Sequence, residues 1–395
     1  MYLQNTINRK MRVFCKFWLH ILHFIPTLHT TIIDIYLHLE RMRSRSFIVI
    51  FNLIHIFFRN QLTLADEIKD QKLLQRPVIG ILSQPHDDEE NTYYIAASYV
   101  KWLESGGAQS IAIPYDADET LIREIFSQIN GVLFPGGSAQ LPSSARTLWQ
   151  LILENNQRGH YFPVWGTCLG FEFLVMLTAQ SDEVMLQTSF NAENISMPLI
   201  FPDEDDVKRS NGTYSTTSEL YPYDFMKDVL ENNNITMNNH VRGIDPDHFL
   251  SNTNLTDMFH ITSTNFDRDG NPFVSSIEGK KFPFYGVQYH PEKNNFEYGL
   301  VPGTLIPYEA IDHSSDAIYT SMFLAAFFVN RVRHSSIGKY TMIERHPLIQ
   351  DYPVRKGYKF EQIYLIPSAR YWRKSNTYLR GGPSVWKDKD VSTHY

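Results

Sequence analysis

The segment around Cys168 limits the possible folds more than any other part of the sequence. Residues 162–167 form an apolar run of strand length, and a helical apolar run begins at residue 169. Between them, residues 166–170 (GTCLG) have the pattern of a nucleophile elbow with cysteine as the nucleophile. The two glycines let the backbone turn sharply, and the N-terminus of the following helix favours the reactive thiolate. This pattern predicts a sheet with helices packed on it, whereas the alternative for a lone cysteine is a small buried core residue.

Strand and helix patterns alternate in the ninety residues before the elbow. The predicted strands are 77–84, 110–114 and 131–134, and the predicted helices are 91–104, 117–129 and 143–156. Such alternation predicts an α/β fold with a doubly wound, mostly parallel sheet and helices on both faces. Ligands bind such sheets at the carboxyl ends of the strands. Gly136, Gly137 and Cys168 all fall at predicted strand ends.

The second half of the chain has a different character. Residues 181–269 are polar and rich in asparagine, which predicts loops with one helix near 223–232. A strand pair is predicted at 273–277 and 282–289, followed by a helix at 315–331 and a last strand at 358–366. Antiparallel additions to the sheet are predicted in this C-terminal part. Residues 367–395 are predicted to be a basic tail.

The first 65 residues are predicted to lie outside the catalytic domain, which we place at 66–366. Residues 47–58 form an apolar run of 12 that is preceded by Arg43 and Arg45. This run is too short to span a bilayer comfortably but fits the central region of a signal peptide. We therefore predict cleavage near Ala65, with Met42 as an alternative start. The rival interpretation is a longer signal anchor that also uses residues 14–26.

Several features indicate the secretory pathway. Glycosylation sequons begin at Asn194, Asn211, Asn234 and Asn254. The net charge is −7, but residues 1–65 contain 8 Lys and Arg against 2 Asp and Glu, so residues 66–395 carry −13. An acidic body argues against a nucleic-acid partner.

Removal of Cys15 with the signal peptide leaves Cys168 as the single thiol, so no internal disulfide is expected.

His290 is the predicted partner of Cys168. It follows a predicted strand directly, as Cys168 does, so both side chains are expected at the same edge of a parallel sheet. A Cys–His pair holds the thiol as thiolate and supplies a proton to a leaving amine. Glu292, two residues further on, is placed to orient the imidazole. For the oxyanion we predict the backbone N–H of Leu169 and one N–H from the Gly136-Gly137 turn.

Five segments together resemble gamma-glutamyl hydrolase, a cysteine peptidase of the class I glutamine amidotransferase-like superfamily, which has a flavodoxin-like fold. They are PVIGILSQP, YIAASYVKWLESGGA, GVLFPGGS, WGTCLGFE and GVQYHPEKNNFEY. The resemblance implies a homodimer that hydrolyses γ-glutamyl bonds in folyl and antifolyl poly-γ-glutamates, in a lysosome or vacuole or after secretion. It implies no cofactor, no metal and no membrane span in the mature protein.

The resemblance also assigns residue roles. Carried over by motif, Cys168 is the nucleophile, His290 the general base and acid, and Glu292 the orienting carboxylate. Glu172, in GTCLGFE, matches an acidic residue near the substrate. His240 matches a second active-site histidine more loosely, and a surface-loop histidine is its alternative.

Two other functions are weighed against this one. The first is another reaction on the same fold, either a glutaminase that passes ammonia to a synthetase or a hydrolase of small γ-glutamyl amines. The chain contains no synthetase domain, and secretion would separate it from cytosolic partners. The second is a binding module without catalysis, which the joint presence of Cys168, His290 and Glu292 disfavours.

Overall fold

Thirteen strands and eleven α-helices make up the described part of the chain. The computed structural model describes residues 73–86, 90–185, 189–342, 345–357 and 359–372. The predictions for residues 1–65 and for most of the tail lie outside these ranges. The described residues belong to a unit that begins at Leu73. Across these ranges, none of the helices has the length and apolar character needed to cross a membrane.

The strands are β1 (Val78–Leu82), β2 (Gln84–Pro85), β3 (Thr92–Ala96), β4 (Gln109–Ile113), β5 (Gly131–Phe134), β6 (Val164–Thr167), β7 (Ala192–Met197), β8 (Thr236–His240), β9 (Phe259–Phe266), β10 (Pro272–Gly279), β11 (Phe284–Val287), β12 (Val354–Arg355) and β13 (Ile363–Pro367). The helices are α1 (Ala97–Ser105), α2 (Glu119–Phe126), α3 (Ser143–Gln157), α4 (Leu169–Ala179), α5 (Glu204–Arg209), α6 (Asp224–Asn232), α7 (Pro246–Ser251), α8 (Thr253–Met258), α9 (Lys293–Phe296), α10 (Ser315–Arg333) and α11 (Ala369–Trp372).

Seven strands form the central sheet, in the order β4-β1-β5-β6-β11-β10-β9. The first five are parallel to one another, and β10 and β9 are antiparallel additions at one edge. All five residues of β1 are buried, as is typical of a parallel strand that is covered on both faces. The predicted doubly wound, mostly parallel sheet is confirmed.

Helices cover both faces of this sheet. On one face, the Trp165 ring of β6 packs between Trp102 of α1 and Phe328 of α10, with ring centroids 5.1 and 5.6 Å away. On the other face, Phe134 of β5 packs against Phe173 of α4 at 6.4 Å. Because successive strand side chains alternate between faces, β6 lies in the core between the two helix layers.

Two predictions of secondary structure are wrong. Residues 92–96, predicted as the first part of a helix, form β3, which pairs with β13 in a second, four-stranded sheet. The sequence TYYIA is rich in residues that favour strands, and the helical stripe begins only at Ala97. Residues 181–269, predicted as loops with one helix, also contain three further helices and three strands: α5, α7, α8, β7, β8 and β9. Of these strands, β9 completes the central sheet.

Candidate active site

Cys168 occupies a strained turn between β6 and α4. Its backbone angles are φ 51° and ψ −107°, a left-handed conformation that costs a residue with a side chain about 1–3 kcal/mol. Its N–H donates to the carbonyl of Val287 on the neighbouring strand at 2.8 Å, which ties the turn to β11. The predicted elbow is therefore present, with the cysteine side chain at the carboxyl end of the central strand.

The two elbow glycines are required by close packing of helix on strand. A Cβ on Gly170 would lie 1.9 Å from the carbonyl oxygen of Phe134, and one on Gly166 would lie 2.5 Å from the carbonyl oxygen of Gly170. Neither glycine has a positive φ. Their absent side chains let α4 approach the sheet, and this approach fixes the direction of the turn that carries Cys168.

His290 lies beside Cys168 at the carboxyl edge of the sheet. A Cβ built on Gly136 would be 2.6 Å from Cε1 of His290 and 3.4 Å from Cβ of Cys168. Gly136 therefore contacts both residues, which lie 122 positions apart in the sequence. The backbone N–H of His290 donates to the carbonyl of Met237 at 2.8 Å, so β8 helps to hold the segment that carries His290 in place.

Glu292 binds the imidazole of His290. Its Oε1 lies 2.8 Å from Nδ1 of His290, and both side chains are buried. Burial by itself lowers the pKa of His290, but the negative charges of Glu292 and Cys168 outweigh it and raise this pKa to about 9. The imidazole is therefore held as imidazolium at neutral pH, with Nε2 left for the reacting atoms.

Tyr99 belongs to the site but is not among the residues that the motifs predict for it. Its hydroxyl accepts the N–H of Gly136 at 2.7 Å and lies 3.4 Å from Nδ1 of His290. Burial, followed by the charges of Glu292 and Cys168, raises the pKa of Tyr99 well above its usual value. The hydroxyl stays protonated and joins the Gly136 turn to the His290–Glu292 pair. A tyrosine within a buried helical stripe was the available signal, because a buried hydroxyl needs a polar partner.

The two predicted oxyanion donors have different surroundings. Tyr99 takes the N–H of Gly136, whereas the N–H of Gly137 makes no hydrogen bond within the described ranges. Gly137 is therefore the donor of this turn that can bind a substrate. The buried side chain of Gln84 lies against Gly137, where a Cβ would be 2.5 Å from Oε1. Leu169 is the first residue of α4, and the first N–H groups of a helix have no acceptor within it.

Glu172 lies one helical turn after Cys168 and pairs with Arg242. The contact joins Oε2 of Glu172 to Nε of Arg242 at 3.1 Å. Burial raises the pKa of Glu172 to about 7, although Arg242 and the side chain of Gln288 act to lower it. The GTCLGFE motif predicts the acidic residue but not its arginine partner, because 70 positions separate the two.

His240 ends β8 and is buried. Its Nδ1 lies 2.7 Å from the carbonyl oxygen of Arg242, and its ring packs edge-on against Phe273 at 4.9 Å. Burial is the main reason that the pKa of His240 falls to about 4, and the charge of His290 lowers it further. His240 is therefore a neutral, buried residue whose pKa responds to the charge of His290, and the surface-loop alternative is wrong.

Lys293, the residue after Glu292, forms a buried ion pair. Its Nζ lies 2.5 and 2.6 Å from the two carboxylate oxygens of Glu309. Asn239 donates a further hydrogen bond to Glu309 at 2.7 Å. A buried ammonium needs such compensation, so the charge of Lys293 is matched inside the protein.

The remaining predicted sites are the glycosylation asparagines. The sequon asparagines are all exposed: Asn194, Asn211, Asn234 and Asn254. Within the described ranges, no group of three or more His, Cys, Asp and Glu side chains could hold a metal ion.

A strained elbow cysteine beside an imidazole, on a doubly wound sheet, is the arrangement of a cysteine hydrolase. Sequence comparison identifies the family within this class. The family model described as Peptidase C26 matches residues 77–292, and the chain belongs to this family.

Named relatives from distant organisms match most of the chain. Gamma-glutamyl hydrolase B of Dictyostelium discoideum is 38% identical over 296 residues, which cover 72% of this chain and 78% of that protein. Gamma-glutamyl hydrolase of Homo sapiens is 36% identical over 305 residues, covering 74% and 90%. Gamma-glutamyl hydrolase 1 of Arabidopsis thaliana is 33% identical over 315 residues, covering 76% and 86%.

Proposed function

We propose that this chain hydrolyses γ-glutamyl bonds in folyl and antifolyl poly-γ-glutamates and releases glutamate or short polyglutamates. The observation that carries the proposal is the contact of Gly136 with both Cys168 and His290. Relatives that are 33–38% identical carry the name gamma-glutamyl hydrolase. A cysteine peptidase chemistry and a γ-glutamyl substrate together define this activity.

The first half of the reaction forms a thioester. The Cys168 thiolate attacks the γ-carbonyl carbon, and the carbonyl electron pair moves to the oxygen. The N–H groups of Gly137 and Leu169 bind this oxyanion, and removal of one such donor costs about 10²–10³ in rate in related chemistry. The His290 imidazolium then gives its proton to the leaving nitrogen as the C–N bond breaks.

The second half releases the product. The neutral imidazole of His290 takes a proton from water, and the resulting hydroxide attacks the thioester carbon. The C–S bond breaks, Cys168 leaves as thiolate, and His290 is again an imidazolium. Glu292 accepts the Nδ1–H throughout, so that Nε2 faces the reacting atoms.

The cellular setting is part of the same proposal. The chain enters the secretory pathway, loses its first 65 residues and works as a glycosylated homodimer in a lysosome or vacuole or outside the cell. The exposure of all four sequon asparagines is consistent with glycosylation. Mass spectrometry of the secreted protein should find an N-terminus near Asp66 and a mass that falls on deglycosylation. Light scattering should give twice the chain mass, and recovery of residues 1–41 on the secreted protein would refute the processing scheme.

The activity is tested by product analysis with folate pentaglutamate and, in parallel, free glutamine. We expect cleavage of the pentaglutamate, with little release of ammonia from glutamine. The Cys168→Ala variant should lose all hydrolysis while keeping its melting temperature, and iodoacetamide should label Cys168 alone in the active protein. Preferred hydrolysis of glutamine or of small γ-glutamyl amines would favour the alternative reactions on this fold. Full activity of Cys168→Ala would end the cysteine-hydrolase mechanism.

A further inference from the structure

Two cationic side chains, Lys293 and Arg242, lie next to the buried ionisable groups of the site, and they differ in solvent exposure. Lys293 is 3% exposed, and its ammonium already has both oxygens of Glu309. The side chain of Arg242 is 35% exposed, although its partner Glu172 is 3% exposed. Arg242 is therefore the cation of the two that a molecule in solution can reach.

The guanidinium of Arg242 is attached to the site but has unused hydrogen-bonding capacity. Its shortest contact with Glu172 is the 3.1 Å approach of Nε to Oε2. That oxygen has no hydrogen-bond partner among the described residues, so the pair is held by charge with poor hydrogen-bond alignment. A guanidinium carries five N–H donors in a planar fork that matches a carboxylate.

The spacing of Cys168 and Glu172 along the helix is similar to the length of a γ-glutamyl unit. Glu172 follows Cys168 by one helical turn, which is about 5.4 Å along the axis, and its N–H donates to the carbonyl of Cys168 at 3.0 Å. In a γ-glutamyl unit, four single bonds of about 1.5 Å separate the reacting carbonyl carbon from the α-carboxylate carbon, a span of about 5 Å. A γ-glutamyl unit whose carbonyl lies at Cys168 is therefore long enough for its α-carboxylate to reach the level of Glu172 and its partner Arg242.

The turn that carries Arg242 is held by buried groups. The carbonyl oxygen of Arg242 lies 2.7 Å from Nδ1 of His240, which is itself buried against Phe273. This contact fixes the backbone while the side chain extends toward solvent. An anchored backbone limits the entropy lost when the side chain binds a ligand.

We propose that Arg242 binds the α-carboxylate of the γ-glutamyl unit that is cleaved, with Glu172 holding the guanidinium in place. The inference rests on the proposed function, because it names how that site recognises its substrate class. Arg242 is a specificity residue in this scheme and takes no part in bond breaking.

The test compares two substrates on the same variants. One is a pteroyl-di-γ-glutamate, and the other is the same molecule with the α-carboxylate of the acyl-donor glutamate replaced by a carboxamide. The wild-type enzyme should prefer the carboxylate by about 10- to 100-fold in kcat/KM, the range for a charge-assisted bidentate contact. In Arg242→Met this preference should fall below about threefold, mainly through a higher KM for the carboxylate substrate. Arg242→Lys should retain an intermediate preference.

Controls separate recognition from folding and from chemistry. Arg123→Met changes an exposed arginine that pairs with Glu119 in its own helix, and it should keep the wild-type preference. The rate of Cys168 alkylation by iodoacetamide should stay within about twofold in Arg242→Met. If this variant does not fold because Glu172 is left unpaired, Glu172→Gln/Arg242→Met keeps the site neutral and should show the same loss of preference.

Other outcomes overturn specific parts. A wild-type enzyme that cleaves both substrates equally, or an Arg242→Met enzyme with unchanged preference, contradicts the role of Arg242 and leaves the hydrolase intact. Equal loss on both substrates in Arg242→Met identifies a structural role only. A wild-type enzyme that cleaves neither substrate contradicts the proposed function itself.

Discussion

At the scale of single residues, the backbone conformation of Cys168 lowers the stability of the fold but places the reactive sulfur at the sheet edge. A φ of 51° with a ψ of −107° is unfavourable for a residue with a Cβ and accessible to glycine. The strain is maintained by the surrounding contacts, among them the 2.8 Å hydrogen bond to Val287. Its result is a sulfur atom that projects from the sheet edge.

Cys168→Gly should be more stable than Cys168→Ala. Both variants lack the thiol and should be inactive, but only glycine removes the strain, and we expect a free energy of unfolding higher by about 1 kcal/mol. Urea denaturation of the two variants measures the difference. Equal stability, or a less stable glycine variant, would show that the elbow stores no strain at this residue.

The charge of Glu292 sets the protonation of His290. Its carboxylate, together with Cys168, raises the pKa of His290 to about 9 in spite of burial. The imidazolium is therefore present below this pKa and is lost as the pH rises through it. This proton is the one that the leaving amine needs.

Glu292→Gln should move the alkaline limit of activity to lower pH. The amide keeps the shape but loses the charge, so the pKa of His290 should fall by at least about one unit. The kcat/KM profile from pH 5 to 10 measures this shift, with Glu119→Gln, an exposed helix residue, as the matched control. An alkaline limit that does not move would mean that Glu292 does not set the charge state of His290.

Sequence located some site residues and missed others for a physical reason. Cys168, His290 and Glu292 lie within short motifs at strand ends, where local sequence fixes their position. Tyr99 and Arg242 act through contacts with residues that are distant in the chain, such as Gly136 and Glu172. Their types and local spacing are those of ordinary helix and loop residues, so only the folded structure assigns them to the site.

At the scale of elements, the docking of α4 on the sheet determines where the nucleophile lies. Every residue of α4 is buried, and its second residue, Gly170, touches the backbone of β5. This closeness explains why the apolar run after the elbow has no polar face. The helix could be predicted because this continuous apolar run is longer than a buried strand.

Gly170→Ala should destabilise the protein by about 3 kcal/mol or more. The new Cβ would meet the carbonyl oxygen of Phe134 at 1.9 Å, and rigid backbone on both sides cannot yield without moving the helix. Gly299→Ala is the matched control, since its Cβ would meet only ordinary contacts at 3.7 and 4.0 Å. Denaturant midpoints of the two variants should differ clearly, and a Gly170→Ala midpoint equal to that of the control would contradict this packing argument.

Element prediction failed where pairing partners are remote in sequence. β3 pairs with β13, about 270 residues later, and the single strand preceding a helix has no local signal that separates it from the helix. The polar segment that contains β7, β8 and β9 has only weak alternation of apolar and polar side chains. Its sequence therefore shows neither the helical nor the strand periodicity of apolar residues. By contrast, β5 and α3 were predicted almost to the residue, because Gly and Pro mark their ends.

At the scale of the whole molecule, segments far apart in sequence close the fold. The N–H of Leu74 donates to the carbonyl of Arg333 at 3.0 Å, and Nη1 of Arg333 donates to the carbonyl of Leu74 at 2.9 Å. Near the other end, the N–H of Ala369 donates to Asp116 at 2.8 Å. The predicted boundaries at residues 66 and 366 remain predictions, but these contacts show which residues next to them belong to the folded body.

A chain that begins at Leu73 should fold and keep full activity, whereas one that begins at Pro77 should be less stable. The shorter chain loses the reciprocal hydrogen bonds between Leu74 and Arg333 and a third from Arg333 to the carbonyl of Gln75 at 3.2 Å. A typical hydrogen bond contributes about 0.5–1.5 kcal/mol, so loss of the three bonds should lower the free energy of unfolding by about 1.5–4.5 kcal/mol. Arg333→Met in the longer chain should lose a similar amount, since it removes two of the same bonds and the 3.0 Å hydrogen bond from Nη2 to the carbonyl of Gly107. Failure of the chain from Leu73 to fold would show that earlier residues are needed, and equal stability of the two chains would mean that this anchor contributes nothing.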